Sequence, residues 1–282
     1  MKWFYDKYSG FGICLETKKL IYSKKTKYQT VKVFDTKKFG KMMALDTAIQ
    51  FTERDEFIYH EIIAHVPLFS SPNPKRVLII GGGDGGILRE VLKHPIKEVF
   101  LVEIDKEVIE VSKKYFPEIA GESFRDKRVK IIIGDGADFI KNIKNFFDII
   151  IIDSLDPIGP AKTIFSAKFY NNIRESLNKN GLVVCQSGPI MFWEEAGYGD
   201  NYRNFKKIFS KTDIFLSPIA TYPGAIWSFI IGFIKITPKT ASLDIIKKRY
   251  KELKIKTKYY NPEIHFSSFV LPNFIKDYIK EK

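Results

Sequence analysis

Asp84 stands inside a glycine turn, in the run VLIIGGGDGG (Val77 to Gly86), where the backbone is otherwise suited to receive a nucleotide-like ligand. A carboxylate in that place attracts a cationic group and repels an anionic one. Other acids stand at comparable points: Glu103 in VEID, Asp135 in Gly134-Asp135-Gly136, and Asp153 and Asp156 in DIIIIDSLDPIGP (Asp148 to Pro160). Taken singly, Asp153 or Asp156 is explained equally well as a cap on the backbone amides of a turn or helix start. Gathered at one edge, five uncompensated carboxylates repel one another unless a cationic ligand or a cation-bearing cofactor joins them. A dinuclear metal site is the rival explanation, and the absence of histidine at ligand spacing from these acids argues against it.

The elements around these acids place them together. Val77 to Ile80 reads as a strand buried on both faces and Ile87 to Lys93 as the helix after it, the opening βα unit of a doubly wound sheet. Gly81, Gly83 and Gly86 satisfy GxGxxG, while Gly81, Gly83 and Gly85 satisfy the looser GxGxG of methyltransferase-like folds. A second strand, Val99 to Val102, ends at Glu103, at about the twenty-residue distance where a carboxylate grips a ribose diol. A third, Val129 to Ile133, runs into Gly134-Asp135-Gly136, and a fourth, Phe147 to Ile152, ends in Asp153. Polar groups at the carboxyl ends of successive strands lie where open α/β sheets bind ligands. A nicotinamide-linked dehydrogenase and an S-adenosylmethionine-dependent methyltransferase both fit this much of the pattern.

Outside that core the chain changes character. Residues 1–52 form short alternating segments such as Lys27 to Phe34, predicting a small antiparallel β-hairpin domain. Residues 53–282 are read as a catalytic domain with a C-terminal helical tail. It opens with a helix in RDEFIYHEIIAH (Arg54 to His65), for which Pro67 is the expected stop. A helix near Lys168 to Leu177 and strands at Leu182 to Cys185, Ile214 to Ser217 and Ile226 to Phe233 follow, and the tail holds one amphipathic helix, Ser242 to Leu253.

Bulk properties suit a soluble cytoplasmic enzyme: 282 residues, 45% hydrophobic, with two distant cysteines and neither an export signal nor a membrane-length apolar run. The net charge of +13 comes from scattered lysine pairs such as Lys18-Lys19 and Lys247-Lys248, which read as a solvated surface and not as a nucleic-acid-binding stripe.

The succession YQTVKV at Gln29, LDTAIQFTERDEFIYHE from Leu45, GGGDGG, VEID, GDG, DSLDPIGP, TYPGAIW from Thr221 and YYNPEIHFSSFVLP resembles the polyamine aminopropyltransferases, the spermidine synthase family, over nearly the whole chain. The resemblance implies an α/β fold, a methyltransferase-like Rossmann doubly wound sheet with a small N-terminal antiparallel β domain. It implies transfer of aminopropyl from decarboxylated S-adenosylmethionine, a co-substrate and not a tightly bound cofactor, to a diamine, putrescine first, with release of 5′-methylthioadenosine. Agmatine, cadaverine or a longer polyamine are alternative acceptors, and no metal, nucleic acid or membrane is called for.

By the same resemblance Asp153 is the proton acceptor. Gln29, Asp84, Glu103, Asp135, Gly136 and Pro160 line the nucleoside side, and Tyr59, His60, Asp84, Asp153, Asp156 and Tyr222 the amine side. Ordinary S-adenosylmethionine carries a carboxylate that Asp84 would repel, whereas the decarboxylated form ends in an ammonium that Asp84 can pair. The chain departs from the family at Thr47, where glycine is usual, at Pro223-Gly224-Ala225 in place of Pro-Ser-Gly, and in SGPIMFWEEAGYGD after Gln186. A hairpin domain with little core of its own predicts a homodimer or homotetramer.

Overall fold

The computed structural model describes residues 2–8, 10–154, 166–193, 198–209, 211–235 and 241–281. Asp156 and Pro160 lie outside the described residues.

The first five strands, β1 (Lys2–Tyr8), β2 (Phe11–Lys25), β3 (Thr30–Thr36), β4 (Lys41–Leu45) and β5 (Ala48–Thr52), form an antiparallel meander in chain order. β3 begins at Thr30, because Thr26 to Gln29 is held as a turn by the Thr26 amide on the Gln29 carbonyl. The inner face of the meander, Val31, Val33, Met43 and Phe51, packs on Val108, Val111, Phe116 and Ile119 of the following α/β layer. Part of the core that the hairpin domain lacks is thus supplied within the chain.

The second sheet holds β6 (Arg76–Gly81), β7 (Glu98–Glu103), β8 (Val129–Ile133), β9 (Phe147–Asp153), β10 (Leu177–Pro189), β11 (Lys211–Pro218) and β12 (Ile226–Phe233). Its spatial order is β11-β12-β10-β9-β6-β7-β8, parallel from β10 to β8, with β12 and β11 as an antiparallel margin. Alternate side chains build two cores. Val77, Ile79, Leu101, Ile149, Ile151 and Val184 face α1 (Glu56–Ser70) and α2 (Gly86–Leu92). Leu78, Ile80, Val102, Ile150, Ile152 and Val183 face α6 (Ala167–Ser176) and α7 (Tyr198–Ile208). This two-sided burial is why the strands read as continuous apolar runs.

Between these elements lie α3 (Lys106–Tyr115), capped by Asp105, the short α4 (Pro117–Ala120), and α5 (Gly136–Ile140), capped by Asp135. β9 and β7 flank β6 on opposite sides, so the chain reverses its winding direction at β6 and a crevice opens at its carboxyl end.

Two sequence expectations need correction. Pro67 lies inside α1 and does not end it. The helix loses one hydrogen bond there, but the last turn buries Leu68 and Phe69, each worth about 1.5–3 kcal/mol. The Arg249 guanidinium also caps the carbonyls of Phe69 and Ser71. Asp55 and Glu56, at the start of α1, are buried. Among the described residues the tail holds three helices, not one: α8 (Leu243–Leu253), α9 (Pro262–Ser267) and α10 (Asn273–Glu281). Buried Glu61 of α1 clamps this tail by accepting the amides of Lys258, Tyr259 and Tyr260 at 2.7–2.8 Å.

Candidate active site

The crevice is assembled where β6 and β9 lie side by side, Gly81 opposite Asp153 in register. The strands approach so closely that a Cβ on Gly81 would stand 1.9 Å from the Asp153 carbonyl oxygen, and Gly81 has φ +82°. Only glycine fits both conditions.

Asp153 accepts a hydrogen bond from the Tyr59 hydroxyl. Burial, helped by the charge of Asp84, pushes its carboxyl up to about 7 against the opposing influence of Tyr59 and His60. Tyr59 is buried, with its ring 5.7 Å from Tyr222 and 5.4 Å from Phe229. Tyr222 donates to the Gln50 carbonyl and meets Trp227 edge-on at 4.7 Å.

Across the crevice, Asp84 accepts the Gly86 amide at 2.6 Å and faces His60 Nε2 at 3.2 Å, both through Oδ1. Its carboxyl is held below the ordinary value despite burial, because His60 and the Gly86 amide favour the anion. Glu103, at the end of β7, accepts the amides of Gly83 at 3.2 Å and Asp105 at 2.9 Å. Burial nonetheless raises Glu103 to about 7. Asp135 caps α5 by accepting the Ala137 amide at 2.7 Å. Beside it, Gly136 is packed so tightly that a Cβ would meet Ile80 at 2.4 Å. Gln29 reaches into this region through the hairpin domain, its side-chain amide donating to Asp105 at 3.2 Å.

Among the described residues the structure therefore gathers Asp153, Tyr59 and Tyr222 on one side of the crevice and Asp84 and His60 on the other, with Glu103, Asp135, Gly136 and Gln29 along the rim of β6 to β8. The expectation of uncompensated carboxylates is corrected. Asp84 is paired with His60, and Glu103 and Asp135 are satisfied by backbone amides.

Several positioning groups escaped the sequence reading. Asp55 accepts the amide of Thr221 at 3.1 Å and its hydroxyl at 2.7 Å, tying the segment that bears Tyr222 to the start of α1. Gln186 donates to the Ser154 carbonyl at 2.7 Å and accepts from Trp227 Nε1 at 3.1 Å, bracing the strand end that carries Asp153. A glutamine closing the apolar run VVCQ was the available signal. The departure at Ala225 has a backbone consequence: it takes φ +59°, which costs a non-glycine residue about 1–2 kcal/mol.

A mixed seven-stranded sheet wound in this order, with a glycine loop at the reversal and an acid ending the next strand, defines a methyltransferase-like nucleoside-binding α/β protein. Residues 56–240 match the model of the spermine/spermidine synthase domain, and residues 2–53 that of the spermidine synthase tetramerisation domain. The chain belongs to the spermine/spermidine synthase family, and it is an enzyme of the aminopropyltransferase class.

Similar proteins include the polyamine aminopropyltransferase of Caldicellulosiruptor saccharolyticus, 46% identical over 280 residues, covering 99% of this chain and 98% of that one. Polyamine aminopropyltransferase 1 of Bacillus cereus is 43% identical over 280 residues, covering 99% of each. A crystal structure of a spermidine synthase in complex with the transition-state analogue AdoDATO superposes with a TM-score of 0.94 at 38% identity, covering 100% of this chain and 96% of that one. The spermidine synthase of Thermotoga maritima gives a TM-score of 0.93 at 37% identity, covering 100% and 95%.

Proposed function

We propose that the chain transfers the aminopropyl group of decarboxylated S-adenosylmethionine to putrescine, forming spermidine and 5′-methylthioadenosine. The observation that carries this reading is the pairing of two half-buried acids at one strand reversal. Asp84 sits in the glycine loop that follows β6, and Asp153 ends β9, the strand beside it, opposite Gly81. A ligand bearing an α-carboxylate in that loop is repelled by Asp84, whereas one ending in an ammonium is attracted.

The co-substrate half is assigned to Gln29, Asp84, Glu103, Asp135, Gly136 and Pro160, with Asp84 pairing the ammonium and Glu103 accepting the ribose hydroxyls. The acceptor half is assigned to Tyr59, His60, Asp84, Asp153, Asp156 and Tyr222. The attacking nitrogen starts as an ammonium with a pKa of about 10.4. Asp153, raised to about 7, is a stronger base than an ordinary carboxylate, which shrinks the unfavourable proton transfer from about 9 to about 5 kcal/mol. The Tyr59 hydroxyl orients the carboxylate through its other oxygen. The freed lone pair attacks the carbon next to the sulfonium. The C–S bond breaks with its electrons going to sulfur, and a neutral thioether leaves. Positive charge is dispersed in this displacement, so alignment contributes more than an oxyanion hole.

The decisive assay incubates the protein with decarboxylated S-adenosylmethionine and putrescine, agmatine, cadaverine or spermidine in turn, and separates the products. Spermidine and one equivalent of methylthioadenosine are expected with putrescine. Methylated amine from ordinary S-adenosylmethionine, with no methylthioadenosine from the decarboxylated form, overturns the reading.

We further propose that residues 1–52 and 53–282 act as an assembly domain and a catalytic domain, and that the chain forms a homodimer or homotetramer through the former. The first two strands expose Trp3, Tyr5, Phe11 and Leu20, a large apolar surface for one small sheet. Light scattering should give a mass of two or four chains, and a monomer at micromolar concentration contradicts the assembly.

A further inference from the structure

We infer that Glu56 and Arg89 are positioning residues that keep His60 doubly protonated between two carboxylates, so that Asp84 is anchored at one oxygen and offers the other to a cationic reactant. The inference deepens the proposed function and rests on it for the identity of that reactant.

His60 Nδ1 lies 2.6 Å from Glu56 Oε2, and Nε2 lies 3.2 Å from Asp84 Oδ1. Ionised carboxylates only accept, and a neutral imidazole has one donor and one acceptor nitrogen. One of the two contacts is therefore repulsive unless the ring carries both protons or a carboxyl carries one.

Arg89 keeps Glu56 ionised. Its Nη1 is 3.2 Å from Oε1 and its Nη2 2.9 Å from Oε2, a two-point contact in a buried setting. The Gly86 amide, 2.6 Å from Asp84 Oδ1, favours the ionised form of that acid as well. The ring then has to be the cation.

The surroundings hold it there. Gly86 leaves room for the ring, since a Cβ would stand 2.2 Å from Nδ1, and Phe51 approaches it edge-on at 6.3 Å. Among the described residues, the other titratable groups nearby are Tyr59, ring to ring at 5.7 Å, and Asp153, which accepts from Tyr59. Behind Glu56, Arg89 also binds Glu90 at 2.7 Å, and Glu90 meets His65 and Lys93. Burial alone would pull His60 down, yet Asp84 and Glu56 together hold it up to about 10.

Asp84, His60, Glu56 and Arg89 thus form a row of alternating charge. Both hydrogen bonds of Asp84 among the described residues fall on Oδ1. Oδ2 is the oxygen presented to an ammonium.

The test labels the histidines with ¹⁵N and reads their ring nitrogens in the ligand-free enzyme at pH 8. The chain has four histidines, and His60→Asn assigns the signal. Two protonated nitrogens on His60 are expected. One protonated and one bare nitrogen in the wild-type ring overturns the inference, whether or not any amine is turned over.

In Glu56→Gln the ring should become neutral at pH 8, and KM for decarboxylated S-adenosylmethionine should rise about tenfold with a smaller change in kcat. The ring should stay doubly protonated in Arg89→Lys, which keeps the cation beside Glu56, and lose its second proton in Arg89→Gln. An imidazolium that persists in both Glu56→Gln and Arg89→Gln removes the positioning role. A protein that shows the wild-type imidazolium but no aminopropyl transfer refutes only the proposed function.

Discussion

Asp153→Asn is expected to lose about 10²–10⁴-fold in turnover and at the same time to melt at a higher temperature than the wild type at pH 8. The two effects have one cause. The asparagine still accepts the Tyr59 hydroxyl but cannot take a proton from an ammonium.

The gain in stability follows from the raised pKa of the buried acid. Asp153 titrates near 3.8 in the unfolded chain and at about 7 in the folded one, so the native state binds the proton more tightly. The folded state therefore loses stability as pH rises from about 4 to about 7, and carries the full penalty above that. Removing the charge should return about 4 kcal/mol at pH 8 and less than about 1 kcal/mol at pH 4. Thermal melts of the two proteins across this range check the sign. A variant that is less stable than wild type at pH 8, or as active, contradicts the assignment of Asp153 as a buried base.

Gly86→Ala should be nearly as damaging to activity, for a reason unrelated to backbone strain. Gly86 has no positive φ, and alanine at the first turn of α2 improves helix propensity by up to about 1 kcal/mol. The added methyl, however, would stand 2.2–2.3 Å from His60 Nδ1 and Cε1, and the ring is wedged between Glu56 and Asp84. Either the ring leaves both carboxylates or α2 moves away from α1. A net loss of about 2–4 kcal/mol and at least about a hundredfold drop in kcat/KM for the diamine are expected. Gly134→Ala is the control for stability, since a Cβ there meets nothing within 4 Å and its φ is not positive. Equal denaturation midpoints for the two variants would show that the His60 contact carries no weight.

The legible parts of this protein are those written in local pattern. Val77 to Ile80 and Phe147 to Ile152 announce doubly buried strands because both their faces are covered by helices. Glu103 and Asp153 were identifiable because an acid that interrupts such a run marks its carboxyl end. Less legible were elements whose stability comes from afar. α1 runs through Pro67 because Leu68, Phe69 and Arg249 hold its last turn. α9 announced itself only by Asn261-Pro262, a cap followed by proline at the first helical position, within a stretch that otherwise reads as irregular.

By itself, the order of residues determined the winding of the sheet and the convergence of acids at one rim, since both follow from apolar periodicity and from where turns fall. Tertiary structure alone decided how those acids are held. Glu56, thirty-three residues from Arg89, and His60, twenty-four residues from Asp84, become ion pairs only when α1 packs on α2. Charge compensation acts over a few ångströms of space and is blind to separation along the chain. A carboxylate that looks unpaired in sequence can therefore be half neutralised in the fold, as Asp84 is.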